Sequence, residues 1–162
     1  MGKGRPSKRE LKVGVTPQVG VGRRRQETVV QGPDDGDHVP KFSFRYADRG
    51  HNGAWGWPGG DSAAEVLNFL CDMSQLTWNE IKNQRTGGKD RHKKHHHQAV
   101  DAVCAEAQRR FAELRLDEVF EEFFRFRLGG QKRLWGFVVA SVYYVVWWDP
   151  DHQVCPSEKR HT

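Results

Sequence analysis

Residues 122–149 read EFFRFRLGGQKRLWGFVVASVYYVVWWD, and their periodicity decides the fold. Phe124, Phe126 and Leu128 alternate with Phe123, Arg125 and Arg127, the period of two that an extended strand imposes on its faces. Gly129-Gly130 can supply the positive φ angles of a tight hairpin. The chain returns from Arg133 to Val139, turns again at Ala140-Ser141, and runs on through Val142 to Trp148. That last run is apolar on both faces, as expected of a central strand. Pro150, with no amide proton for the ladder, ends it. The segment predicts a three-stranded antiparallel meander.

Upstream, Phe42, Phe44 and Tyr46 alternate with Lys41, Ser43 and Arg45 and predict an opening strand. Gly50 to Gly60 is turn-rich and carries Trp55 and Trp57, a loop expected to fold back over the core. Ser62-Ala-Ala-Glu65 matches a capping box ahead of Val66, Leu67, Leu70 and Met73 at helical spacing. Thr77-Trp-Asn-Glu80 repeats the pattern for a shorter helix that buries Trp78 and Ile81. Beyond Gly87-Gly88, a polar, basic connector reaches Gln98. Val100, Val103, Cys104, Ala107, Phe111 and Leu114 then recur at offsets of three and four, predicting a third helix. The sum is an α+β domain, β-α-α-α-β-β-β, with a small antiparallel sheet and its helices packed on one face.

The chain has 162 residues and a net charge of +5. Through Arg25 there are eight basic residues against Glu10 alone, so the tail is basic and the rest carries a small negative balance. The first aromatic residue is Phe42. Residues 1–40 hold seven of the 17 Gly and four of the seven Pro, and read as a disordered basic arm before a single domain over 41–162. The arm serves solubility alone, or Arg23, Arg24 and Arg25 offer loose attachment to nucleic acid. Cys71, Cys104 and Cys155 are odd in number and widely spaced, which fits a reducing cytoplasm better than a disulfide framework. The longest apolar run, Val142 to Trp148, falls well short of the ~20 residues of a bilayer span, so no membrane is expected.

Three constellations could carry chemistry. Between Arg85 and His97, the residues Lys89, Arg91, His92, Lys93, Lys94, His95 and His96 set cationic groups beside imidazoles that titrate near neutrality. The stretch reads as a solvated connector or as a phosphate site. A metal reading needs His92 and His95 or His96 on one helical face, with Asp90 or Asp101 in support. Trp147-Trp148-Asp149-Pro150-Asp151-His152 closes the putative central strand, where it makes either a plain Asp-Pro turn or a site in which Asp149 orients His152. Lys132 and Arg133, with Arg125, Arg127 and Trp135, form a basic hairpin. It could stack bases and hold phosphate, or simply lay arginine stems over Trp135.

Phe42-Ser43-Phe44, Arg85 followed by His92, Arg133-Leu-Trp-Gly136-Phe137 and the closing Trp147-Trp148-Asp149-Pro150-Asp151-His152 resemble, in that order, a family of small actinobacterial and mobile-element proteins ending in W-x-D-P-x-H. The element order is also similar to RelE-type toxins, which cleave messenger RNA, often on the ribosome. That resemblance implies a metal-independent endoribonuclease that needs no cofactor. His92 or His152 would act as base and acid, Asp149 would hold an imidazole, and Arg133 would neutralise developing charge. Arg85, Lys89, Arg91 and Lys132 would bind phosphate. RNA, a ribosome, or an antitoxin or other protein are the implied partners. The competing reading is a non-catalytic adaptor, with Trp55, Trp57 and Trp135 as its exposed aromatic surface. The nuclease reading requires the imidazole-rich connector and the C-terminal turn to meet.

Overall fold

The structure is a computed structural model that describes residues 36–156. Arg23, Arg24, Arg25 and most of the basic arm lie outside the described residues. Among the described residues nine elements follow one another: β1 (Lys41–Ser43), α1 (Asp61–Met73), α2 (Trp78–Asn83), β2 (His96–Ala99), a 3₁₀ turn (Val100–Ala102), α3 (Ala105–Glu113), β3 (Glu122–Gly129), β4 (Lys132–Val139) and β5 (Val142–Asp149). The strands form one sheet in the order β1-β5-β4-β3-β2.

The meander β3-β4-β5 lies at the centre, as its alternation predicts. The remainder of the sheet departs from the expected pattern in two ways. First, β1 pairs parallel to β5, Lys41 opposite Val142 and Ser43 opposite Tyr144, so the sheet is mixed. Parallel pairing needs a long crossover, and the whole helical section supplies one. Second, residues 96–99 are a fifth strand antiparallel to β3, with His96 opposite Arg125 and Gln98 opposite Phe123. The sequence HHQA carries no strand propensity. It is held extended by the ladder it adds to an edge.

The helices also cover both faces rather than one. On one face, Val66, Leu70 and Met73 of α1 and Trp78 and Ile81 of α2 pack on Phe124, Phe126, Leu134, Tyr143 and Val145. On the other, Val103, Ala107 and Phe111 from the α3 region pack with Trp55 on Phe123, Trp135, Phe137, Val146 and Trp147. This is why β5 is apolar throughout, and a register shift between Trp135 and Gly136 places the consecutive residues Val146 and Trp147 both on the α3 side.

Local signals were met unevenly. Thr77 and Glu80 form the reciprocal capping box that opens α2. Ser62 does not cap α1, whose N-cap is Gly60 at φ 55°, so the helix starts two residues earlier than the box implies. The third helix is confined to 105–113, its first turn replaced by the 3₁₀ turn. Asp48, after β1, binds α3 through Arg110 and takes the Trp147 indole N–H at 3.0 Å, tying the opening segment to α3 and β5. Among the described residues no helix is long and apolar enough to cross a membrane.

Candidate functional site

Strand parity determines what can meet. On β3, Arg125 and Arg127 share the face of Phe123; across the ladder, Arg125 lies opposite Trp135, Arg127 opposite Arg133, and Arg133 opposite Asp149. On β2, His96 stands opposite Arg125 and His97 lies against Phe124, whereas His95, just ahead of the strand, points to the other side, against Phe69 and Phe126. Three consecutive histidines are thereby divided between two faces. The turn after β5 brings His152 back over the arginine face.

The centre of this group is Arg125. Its Nη2 donates to Nε2 of His96 at 2.6 Å and its Nη1 to Nε2 of His152 at 3.2 Å, while its Cζ lies 5.8 Å from the centre of the Trp135 ring. An imidazole nitrogen that accepts from a guanidinium carries no proton, so both rings are neutral in this state. His96 keeps its proton on Nδ1, 2.8 Å from the carbonyl oxygen of His97. Burial, then the charges of Arg133, Arg125 and Arg127, lower His152 to about 4. Burial also lowers His96, against the bond to His97 and together with repulsion from Arg125 and Arg133.

Arg133 is almost fully buried, and its Nη1 donates to the carbonyls of Gly130 and Lys132. Burial, followed by repulsion from Arg125 and Arg127, pushes it down to about 10, with Asp149 acting the other way. Among the described residues none of these three arginines has a carboxylate within ion-pair distance, and the Nε groups of Arg125 and Arg133 are buried without a hydrogen-bond partner. Such donors are expensive to leave unpaired. Together they describe a cradle for an anion.

Asp149 has a supporting part. Its fully buried carboxylate accepts from the amides of Gln153 and Val154, at 2.8 and 3.0 Å, and from the Trp135 indole at 3.2 Å. Burial raises its pKa, and those three bonds oppose the rise. The carboxylate thus pins the turn that carries His152, itself at φ 58°.

Of the residues singled out from sequence, Arg133, Asp149 and His152 come together here. His92 sits in an exposed connector closed by the Arg85–Lys93 bridge and by the Thr86 amide on the His92 carbonyl. Among the described residues no hydrogen bond or ion pair joins its ring to the cluster. Arg85 donates to the Lys82 carbonyl, and Lys89 and Arg91 are exposed in the same connector. Lys132 points away from its neighbour Arg133 and donates to both oxygens of Glu65 on α1, at 2.8 and 2.9 Å. The connector is extended at 96–99, so no helical face gathers His92 with His95 or His96, and among the described residues no three acidic, Cys or His side chains are grouped to hold a metal. Trp55 and Trp135 are buried, which leaves Trp57, edge-on to Phe44, as the exposed member of the aromatic surface expected for an adaptor.

His96 was hidden among four histidines of one stretch, and its role follows only from the β2–β3 register. Arg125 and Arg127 were legible as a pair of equal parity, but not as neighbours of imidazoles. Set against protein-family models, curated proteins and solved structures, the chain matches none, so its function is read from its own geometry.

Proposed function

We propose that this protein is a metal-independent endoribonuclease, similar to RelE-type toxins, acting in the cytoplasm on single-stranded RNA such as messenger RNA on the ribosome. The observation that supports the reading is Arg125 bridging the Nε2 atoms of His96 and His152 within a group of three arginines. RNA supplies what such a group lacks. Its phosphodiester carries the missing charge, and its 2′-hydroxyl is a nucleophile that needs a base.

The neutral imidazole of His152 or His96 takes the 2′-hydroxyl proton as the oxygen attacks the adjacent phosphorus. Arg125, Arg127 and Arg133 stabilise the two negative charges on the phosphorane. The bond to the 5′-oxygen then breaks, and the other imidazole, protonated once the bound phosphate offsets the arginine charges, returns a proton to that oxygen. The products are a 2′,3′-cyclic phosphate and a 5′-hydroxyl, with no metal or cofactor consumed. Asp149 holds His152 in place through the turn and takes no proton. In cells, an antitoxin or other protein would be needed to restrain such an activity.

The test is cleavage of a defined single-stranded RNA by the full chain in the presence of EDTA, with the products' termini identified. Wild type should leave cyclic phosphate ends, and His152→Ala and His96→Ala should each lower the rate ~10²–10⁴-fold, the usual worth of acid–base assistance. Growth arrest on induction, absent with folded Arg133→Ala or His152→Ala, should accompany it. A folded wild type that neither cleaves RNA nor arrests growth overturns the reading.

A further inference from the structure

The arginine–histidine group carries more positive charge than a phosphodiester can balance. Arg125, Arg127 and Arg133 contribute three charges, and Asp149, which accepts three N–H donors as a carboxylate does, returns one. The two imidazoles are neutral because each gives its Nε2 lone pair to Arg125. Two buried guanidinium Nε groups remain without acceptors. Against that balance a monoanion would leave the site electropositive, whereas a dianion would neutralise it before any proton is taken up, so that the dianion and one added proton together leave no more charge than a monoanion alone.

Binding also has to undo something. Each Nη of Arg125 gives one of its two hydrogens to an imidazole, so an oxyanion that takes those same hydrogens displaces His96 or His152 as acceptor. A displaced ring beside bound negative charge is better as a donor than as an acceptor. It has a proton to gain.

We propose that this site is built for a phosphoryl group carrying two negative charges, and that binding it transfers Arg125 from the imidazoles to the anion while one imidazole takes up a proton. The inference rests on the endoribonuclease reading for its biological ligand, the dianionic phosphorane, but its test needs only small oxyanions. His152 faces Arg125, Arg127 and Arg133, and His96 faces Arg125, Arg133 and His97. Asp149 and the Cys155 thiol face Arg125, and burial keeps that thiol in its neutral form. The two imidazoles are therefore the groups left to bind the proton, because a bound anion offsets the arginine charges that, after burial, keep both rings neutral.

The experiment is calorimetric titration of the full chain with sulfate and with dimethyl phosphate, a dianion and a monoanion whose charges stay constant between pH 6 and 8. Sulfate should bind at least tenfold more tightly. Its affinity should rise as pH falls, by up to tenfold per pH unit, and repeating the titration in buffers of different ionisation enthalpy should reveal proton uptake. His152→Gln should flatten the pH dependence. Arg127→Gln, at a half-exposed position, should weaken sulfate about tenfold or more without unfolding the chain. Equal affinity for the two ligands, sulfate binding unaffected by Arg127→Gln, or no proton uptake overturns the proposal. RNA cleavage is scored separately: cleavage with equal affinities removes the dianion proposal and keeps the nuclease, and proton-linked sulfate binding without cleavage does the reverse.

Discussion

Asp149 and Trp135 stand on adjacent strands of the sheet and share a buried hydrogen bond of 3.2 Å from the indole Nε1 to Oδ2. The same carboxylate receives two amides of the following turn, so one side chain closes β5 and aims His152. Asp149→Ala should cost about 2–3 kcal/mol, because buried donors lose their acceptor. It should also lower RNA cleavage more than tenfold through a displaced His152. Asp149→Asn keeps one acceptor oxygen and should fall between. Urea unfolding beside cleavage rates checks both; an Ala variant as stable as wild type would mean that the turn is held elsewhere.

His95 should make stability sensitive to mild acid. Its Nδ1 accepts the Arg127 amide at 3.1 Å and its Nε2 faces Oε1 of Gln84 at 3.2 Å, so the buried ring is neutral with its proton on Nε2. Burial, then the charges of Lys94 and Arg125, push it down to about 3. Below the unfolded value of about 6.5 the unfolded chain binds a proton that the fold refuses. Stability is thus greatest above pH 6.5 and falls by up to about 1.4 kcal/mol per pH unit between there and pH 3. His95→Gln should be less stable at neutral pH but lose less between pH 7.5 and 5.5, a difference that denaturant midpoints will read.

Asp48 and Arg110 form a two-point ion pair, with Arg110 Nε and Nη2 each 2.8 Å from the carboxylate, and Trp147 and Gly50 add further donors. Burial alone would raise the carboxyl pKa, yet the Arg110 and Trp147 bonds outweigh it and leave it lowered. Its stabilisation is present above the unfolded pKa of 3.8 and is lost as pH falls through the lower folded value. Asp48→Asn should cost about 3 kcal/mol in thermal or urea unfolding at pH 7.

Gly136 lies in β4 where an added Cβ would strike the Tyr144 carbonyl and come within 2.7 Å of the Tyr143 ring. Gly136→Ala should therefore destabilise by about 1–3 kcal/mol or more, as overpacking does. An unchanged melting temperature would show that β5 can move aside.

Lys132→Ala and His92→Ala should both leave sulfate affinity and cleavage within twofold of wild type. Lys132 belongs to Glu65, and loss of that exposed pair should cost no more than about 1 kcal/mol. A tenfold loss of cleavage in either variant would place the connector or the first residue of β4 in the site.

By itself the sequence determined the meander, the α2 capping box and the α+β class, because alternation, turn residues and helix caps act between residues close in the chain. It also marked Arg133, Asp149 and His152. It did not determine the parallel β1–β5 pairing, the strand formed by His96–Ala99, or the cover on both faces of the sheet, since an isolated short segment chooses its partner through ladder bonds and packing that local preference does not encode. Only the tertiary structure could prefer His96 to His92. A one-residue change of register on β2 would turn His95 or His97 toward Arg125 instead, and that register is fixed by β3 and the buried His95 ring, not by the histidine run.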